Sequence, residues 1–313
     1  MDAVTLASHR GRPPHIRFVE VGPRDGLQNE KSSLPVEAKA AFVDALSETG
    51  VPEIEAGAFV SAKAVPQMSD SLQVFQRIQR RPGVIYSALV PNERGLDEAL
   101  RAKADKIAVF TAASETFNRK NTNAGIKESL ERFKSVVYRA KSLKMPVRGY
   151  ISTAYVCPFE GAISPSKVVS LGLSLLDLGV DEIAIGDTIG RAAPKDVRAL
   201  LKPLLKEISE KRLYFHFHDT YGLAIANILT AYEEFNATGF DASAGGLGGC
   251  PFAPGAAGNV ATEDAAFALS ASGAKVELDF GKLKAAEAVI APLLGHPFPA
   301  RLAKAAAHEK ANV

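Results

Sequence analysis

Short apolar runs rich in β-branched residues recur along the chain, and longer stretches with helical spacing separate them. In the longer stretches apolar residues return every three or four positions, as at Val168, Leu171, Leu175 and Leu178, which predicts helices with one buried face. The short runs predict buried β-strands at 16–21, 51–56, 84–89, 106–111, 147–152, 181–186, 212–217 and 239–243. The pattern therefore predicts a strand followed by a helix, repeated eight times.

Turn residues mark the ends of the predicted helices. Pro165 and Pro194 each follow a loop and suit a first helical turn, and Gly50 and Gly179 suit helix ends. Eight strand–helix units joined by right-handed crossovers close most simply into an α/β fold, the (β/α)8 TIM barrel. An open doubly wound sheet is the alternative, although no G-x-G-x-x-G motif follows the first strand.

The chain divides into a catalytic barrel and a short tail. We expect residues 1–275 to form the TIM barrel. Residues 276–313, rich in alanine, lysine and leucine, predict a C-terminal helical extension that packs on the barrel or meets a partner subunit. A homo-oligomer, most simply a dimer, is the assembly that we expect.

Composition and charge restrict the kind of ligand. Hydrophobic residues make up 47% and charged residues 23% of the 313 positions, which is typical of a globular protein with a large core. The formal net charge of +2 is too small to indicate nucleic-acid binding, so a small anionic ligand fits better.

The sequence carries no signal for a membrane. No stretch approaches the roughly 18 consecutive apolar residues of a membrane helix, and the first residues lack the apolar core of a secretory signal. We therefore expect a cytoplasmic protein without a membrane partner. A short organelle transit peptide is the alternative, because His9, Arg10, Arg12 and Arg17 make the first segment basic.

The chain has two cysteines, Cys157 and Cys250, and they lie far apart. Their spacing indicates neither a disulfide framework nor a zinc knuckle. Cys157 is most simply a small buried apolar residue. Cys250 lies in a glycine-rich loop after the last predicted strand, where packing gives little reason for a cysteine, and this position favours a catalytic role.

Polar residues that directly follow the apolar runs are the candidates for the site, because TIM-barrel active sites lie at the carboxyl ends of the strands. For a single acid such as Glu20, Glu55 or Asp187, a helix cap or an interior ion pair is the alternative to a functional role. The candidates are Arg24, Asp25, Gln28, Glu55, Asp187, His216, His218, Cys250 and Asn259.

The seventh predicted strand carries a His-x-His motif. His216 and His218 project from one face because strand side chains alternate, and two such imidazoles can chelate one ion. A structural role is the alternative, but Asp25 and Asn259 on the same predicted edge favour a metal site. Two imidazoles, a carboxylate and an amide oxygen without a thiolate suit Mg²⁺ or Mn²⁺ better than zinc.

Five segments of the sequence resemble 3-hydroxy-3-methylglutaryl-CoA (HMG-CoA) lyases. The likeness extends over residues 16–270, which is essentially the whole predicted barrel. The Arg-Asp pair in the first segment is shared with related condensing synthases and aldolases, whereas the Gly-Gly-Leu-Gly-Gly-Cys-Pro loop in the last strongly resembles that of the lyases. The segments are 19–31, 65–68, 186–190, 216–222 and 245–251.

The resemblance implies a metal-dependent carbon–carbon lyase that cleaves an acyl-CoA substrate into acetyl-CoA and acetoacetate, without an organic cofactor. It implies that Gln28 borders the site and binds substrate, that Glu55 orients Arg24 or its neighbours and that Asp187 supports the histidines. Residues 117–121 match a family segment near the CoA. The implied metal ligands are Asp25, His216, His218 and Asn259, and the implied reacting residues are Arg24, Cys250 and either His216 or Asp25.

Several residues depart from the family pattern. Ala56, Gly57, Ala58 and Ala64 replace larger or more polar residues, so the pocket could accept a C3 substituent longer than methyl. The alternative is that neighbouring side chains refill the space and keep the ordinary specificity for the methyl substrate. The tail also lacks the cysteine that some eukaryotic relatives carry, so it gives no basis for redox control.

Two other functions remain open from the sequence. A condensing synthase that joins acetyl-CoA to a 2-oxo acid would use much of the same strand edge, although Cys250 argues against it. A non-catalytic metal-binding barrel would be expected to have lost Arg24, Asp25 or Cys250, and the sequence keeps all of them.

Overall fold

The computed structural model describes residues 15–31, 33–249, 258–302 and 304–305. Within them, parallel strands close into a barrel in the order β1-β2-β3-β4-β5-β8-β9-β10, and β10 pairs with β1. Strands β6 and β7 form a separate antiparallel hairpin above β5. The strands are β1 (Arg17–Glu20), β2 (Glu53–Ala58), β3 (Ile85–Leu89), β4 (Lys106–Ala112), β5 (Val147–Ser152), β6 (Val156–Cys157), β7 (Gly161–Ala162), β8 (Glu182–Asp187), β9 (Leu213–Phe217) and β10 (Gly239–Ala242).

The predicted TIM barrel is confirmed, and each barrel strand overlaps its predicted range. The barrel strands are buried along almost their whole length, which is why each appears in the sequence as an apolar run. In β9, Phe215 and Phe217 alternate with His216, so His216 faces the barrel interior and the two phenylalanines face the other side. The two phenylalanine rings stack with their centroids 6.3 Å apart.

Helices cover the outside of the barrel. Asn92 and Ser114 start two of them, because their side-chain oxygens accept from the amides of Gly95 and Phe117. The helices are α1 (Val36–Ser47), α2 (Ser71–Arg77), α3 (Glu93–Arg101), α4 (Glu115–Thr122), α5 (Ile126–Ser142), α6 (Pro165–Asp177), α7 (Pro194–Glu207), α8 (Ala224–Phe235), α9 (Thr262–Ala271) and α10 (Phe280–Leu294).

The expected helical extension begins with α10, which packs against α1. Asp279 anchors its start, since its side chain accepts from the amide of Lys282 and its own amide donates to Thr49. In the part of the chain that the structure describes, no helix is both long and apolar enough to cross a membrane.

Candidate active site

A wide helical turn at Gly22–Gly26 follows β1 and presents Arg24 and Asp25. The carboxylate of Glu20 holds the turn in place. It accepts from the amides of Gly22 at 2.8 Å and Ala244 at 2.9 Å and from the hydroxyl of Thr262 at 2.7 Å. Burial raises the pKa of Glu20 to about 7. Glu20 therefore joins the ends of β1 and β10 and serves the scaffold.

Asp25, His216 and His218 meet at the carboxyl ends of β1 and β9. Each offers one ligand atom, and these atoms lie within 4.8 Å of one another. Nε2 of His216 is 4.0 Å from Oδ2 of Asp25, too far for a hydrogen bond, and Nδ1 of His218 has no hydrogen-bond partner among the described residues. A buried imidazole nitrogen without a hydrogen-bond partner is free to coordinate a cation. The three residues therefore fit a divalent cation.

Asn259 completes this group. Its amide nitrogen lies 2.9 Å from Oδ2 of Asp25 and 3.0 Å from the carbonyl of Leu247, and residues 259 and 218 form a backbone bridge. The site therefore gathers all four residues that were expected as ligands: Asp25, His216, His218 and Asn259.

Burial and neighbouring charges together shift the pKa values in the site. Burial alone would raise the pKa of Asp25, but Arg24 and the two histidines outweigh it and lower that pKa to about 2. Burial and the neighbouring His216 lower the pKa of His218 to about 4. A carboxylate and a neutral imidazole are the protonation states that bind a cation.

Arg24 lies beside the cluster with 5% of its surface exposed. Its guanidinium donates to Asp25 at 2.5 Å and to Oε2 of Glu55 at 2.7 Å, and Tyr150 donates its hydroxyl to the same Glu55 oxygen at 2.9 Å. Glu55 and Asp25 raise the pKa of Arg24 although its burial acts to lower it. The structure thus places a fixed positive charge next to the candidate metal ligands, with Glu55 in contact with Arg24 as the sequence implied.

Comparison with known proteins gives the family. A family model described as HMGL-like matches residues 15–290. The chain belongs to the HMGL-like family.

Relatives of similar length align with this protein over most of both chains. The hydroxymethylglutaryl-CoA lyase, mitochondrial, of Gallus gallus is 48% identical over 271 residues, which are 87% of this chain and 91% of the relative. The solved hydroxymethylglutaryl-CoA lyase of Pseudomonas aeruginosa is 45% identical, covers 95% of this chain and 99% of its own, and superposes with a TM-score of 0.92. An HMG-CoA lyase of Acinetobacter baumannii, solved with coenzyme A and 3-methylmalate, is 40% identical with a TM-score of 0.88 and covers 93% of this chain and 95% of its own.

Two further residues implied by the family resemblance have clear contacts. Gln28 donates from its side-chain amide to Oδ1 of Asp25 at 2.8 Å, so it lies at the edge of the cluster. Asp187 instead accepts from the amides of Arg191 and Ala192 at 3.1 and 3.0 Å, and burial raises its pKa to about 7. These contacts are those of a loop cap, and support of the histidines by Asp187 stays a prediction.

Other predicted residues fall at the margins of the site. Cys250 lies outside the described residues. Gly248, just before it, has φ +123° and is so close to Asn259 that a Cβ would come within 2.7 Å of the amide nitrogen. In the segment expected near CoA, Asn118 is buried in α4. Its side chain accepts from the amide of Ala112 at the end of β4 and donates to the carbonyl of Ala124 after the helix, so it ties the two elements together.

The sequence did not indicate a role for two charged residues deep in the barrel, Asp241 and Arg148. Oδ2 of Asp241 lies 3.1 Å from Nδ1 of His216, and Arg148 donates to the other oxygen of Asp241. The available signal was a charged residue in the middle of an apolar strand, since such residues are seldom fully buried without a partner.

The C-terminal segment 295–302, here called the C-terminal strap, crosses the same end of the barrel. His296 contacts Glu30 at 2.9 Å, the amide of Ala300 donates to Gly245 at 3.2 Å, and Arg301 pairs with Asp219 at 2.7 Å. Each contacted residue lies a few positions from a candidate site residue. The strap therefore links the three segments that carry Asp25, His218 and the glycine-rich loop.

Proposed function

We propose that this protein is a divalent-metal-dependent HMG-CoA lyase, which cleaves 3-hydroxy-3-methylglutaryl-CoA into acetyl-CoA and acetoacetate. The observation that carries the proposal is the cluster of Asp25, His216 and His218 with Arg24 held against it. Such a cluster offers both an ion site and a separate fixed cation, and a lyase of this kind needs both. Family relatives named hydroxymethylglutaryl-CoA lyase over most of the chain support the same assignment.

The residues that would hold the ion are Asp25, His216, His218 and Asn259. Oxygen and imidazole ligands without thiolate favour Mg²⁺ or Mn²⁺. When bound, the ion supplies Lewis-acid polarisation of the substrate oxygens and a template for their orientation. The chain itself supplies the acids, bases and hydrogen-bond donors.

The cleavage removes the proton of the C3 hydroxyl, breaks the C2–C3 bond and releases a thioester enolate. Either Asp25 or His216 takes that proton. Burial acts to raise the pKa of Asp25, but Arg24 outweighs it and lowers that pKa to about 2; burial acts to lower the pKa of His216, but Asp241 and Asp25 outweigh it and raise that pKa. Whichever group takes the proton must accept it on an atom that does not coordinate the ion.

The enolate then needs a charge partner and a proton. Arg24 donates a hydrogen bond to the thioester oxygen, where negative charge develops. Cys250 gives the proton that converts the C2 carbanion into acetyl-CoA.

We expect Cys250→Ala to lose most of the lyase activity and to keep its metal affinity and thermal stability, because a proton donor acts only in the chemical step. Cys157→Ala is the matched control. Cys157 is 2% exposed and its thiol contacts Ser114 at 3.0 Å, so its loss should affect stability alone. Steady-state rates and melting temperatures of both variants measure this, and an equal loss of activity in the two would remove the basis for assigning Cys250.

The acyl pocket decides how long a C3 substituent the enzyme accepts. At Gly57 an added Cβ would lie 2.7 Å from the hydroxyl of Ser71, so that position faces α2 and does not widen the pocket. The case for a larger substrate rests on Ala64, which is exposed in the turn after β2.

We expect measurable cleavage of analogues with C3 groups longer than methyl, and we expect Ala64→Trp to shift the preference toward methyl. One methylene in an apolar pocket is worth about 1–3 kcal/mol, or about 10-fold or more in kcat/KM. Acetyl-CoA release from a panel of thioesters measures both this ranking and the proposed activity. No release from any thioester, with product formed instead from acetyl-CoA and a 2-oxo acid, would identify a condensing synthase.

Compartment and assembly are predictions from the sequence. Curated relatives include proteins named cytoplasmic and proteins named mitochondrial. A cytoplasmic location and a dimer remain what we propose.

A further inference from the structure

A buried carboxylate lies directly behind His216. Strands β9 and β10 pair Asp241 with His216 in register, so the two side chains lie next to each other inside the barrel. Asp241 is 2% exposed, and one of its oxygens is 3.1 Å from Nδ1 of His216. Its other oxygen accepts from Nη2 of Arg148, which is itself 1% exposed. Each oxygen of Asp241 therefore has its own partner, His216 for Oδ2 and Arg148 for Oδ1.

This arrangement decides which nitrogen of His216 carries the proton. A neutral imidazole has one N–H and one lone pair, and a carboxylate can only accept. Nδ1 of His216 must therefore donate to Asp241. The lone pair then lies on Nε2, which points toward Asp25 at 4.0 Å. Whether that lone pair holds the ion or receives the substrate proton, it has to be on Nε2.

We propose that Asp241 is a positioning residue for the reaction: it fixes His216 as the Nδ1–H tautomer and turns the Nε2 lone pair toward Asp25 and His218. The inference rests on the metal site of the proposed function and deepens it. Arg148 contributes by occupying the second oxygen of Asp241, which keeps that side chain from rotating away from the imidazole.

The competing explanation is that Asp241 only neutralises Arg148. Arg148 belongs to a layer of charged residues inside the barrel. In this layer Lys106 pairs with Glu53 at 2.6 Å and with Glu182 at 2.9 Å. Glu182 also lies 3.6 Å from Arg148, but it makes no hydrogen bond to His216 among the described residues. Glu182→Gln therefore disturbs the same charge layer without touching the imidazole, and it is the matched control.

The first experiment uses the unaltered protein. Long-range ¹H–¹⁵N correlation spectra of the metal-free enzyme, recorded where the imidazoles are neutral, distinguish the two tautomers of each of the six histidines. Comparison with His216→Gln assigns the His216 signals. We expect the Nδ1–H form for His216. Observation of the Nε2–H form would overturn the proposal, and this result does not depend on any variant at Asp241 folding.

The second experiment measures binding of Mn²⁺ alone, by the electron paramagnetic resonance signal of the free ion. In Asp241→Asn the amide oxygen stays with Arg148, so the NH₂ group faces His216 and forces Nδ1 to accept. We expect the Kd for Mn²⁺ to rise about 10- to 100-fold. Glu182→Gln should leave that Kd unchanged, whatever it does to the melting temperature.

The proposal is wrong if Asp241→Asn binds Mn²⁺ like the parent and loses only thermal stability, as Glu182→Gln would. Neither measurement requires substrate, so a failure of lyase activity would count against the proposed function and leave this inference to be judged separately. Asp241→Glu adds a further check, because restoring a carboxylate should recover part of the Mn²⁺ affinity that the asparagine loses.

Discussion

Chelation of divalent cations by EDTA should abolish turnover of HMG-CoA, and Mg²⁺ or Mn²⁺ should restore it. The expectation follows from the ligand atoms of Asp25, His216 and His218, which lie within 4.8 Å of one another without hydrogen bonds among the three residues. Without a cation, an ionised carboxylate and two buried imidazoles have no shared partner, and the substrate oxygens lose their Lewis acid.

The variant that tests the same site is His218→Ala. It removes the imidazole whose Nδ1 has no hydrogen-bond partner among the described residues, so it should weaken metal binding with little cost to other contacts. His15→Ala is the control, because His15 is half exposed and pairs with Glu277 at the opposite end of the barrel. Full activity in enzyme shown by elemental analysis to be free of metal would end the proposal.

The barrel could be predicted from the sequence because its strands are buried on both faces. Parallel strands of this kind leave continuous apolar runs in the sequence, and the site residues follow where these runs end. The sequence alone therefore predicted Asp25, His218 and Asn259 on one rim of the barrel. The hairpin of β6 and β7 could not be found, since each of its strands has two residues and no period develops over such a length.

The residues that were missed are those whose roles depend on register. Asp241 and Arg148 lie within apolar runs, and nothing local shows that one of them reaches His216. That contact exists because β10 pairs with β9 at one particular offset, and a shift by one residue would turn Asp241 away from the barrel interior. Strand ends can be read from the chain, but side-chain partners across strands cannot.

Asp187 also has contacts that the sequence does not show. It stands at the end of β8, where a catalytic or supporting acid was expected, and its oxygens accept from the amides of Arg191 and Ala192. The position at a strand end does not reveal that Asp187 caps its own loop, and support of the histidines by Asp187 stays a prediction.

Arg24→Gln should lower kcat by about 10²-fold or more and change substrate binding less. An oxyanion donor acts mainly where charge develops in the transition state, and its loss costs about 2.7–4 kcal/mol. Arg24 is suited to this because Glu55 and Asp25 fix its guanidinium in a buried site, where a hydrogen bond to the enolate oxygen is stronger than in water. Rate measurements over a range of substrate concentrations separate kcat from KM.

The structure also shows how this variant could mislead. Removing Arg24 leaves the buried Glu55 with only Tyr150 as a hydrogen-bond donor among the described residues, so the single variant should unfold at a lower temperature. The double variant Arg24→Gln/Glu55→Gln removes that carboxylate and should recover stability while kcat stays low. Glu55→Gln alone keeps the guanidinium of Arg24, so its kcat should fall less than that of Arg24→Gln or of the double variant. If the double variant regained kcat together with stability, or if Arg24→Gln raised KM at nearly normal kcat, Arg24 would be a structural or substrate-anchoring residue and the enolate would need another partner.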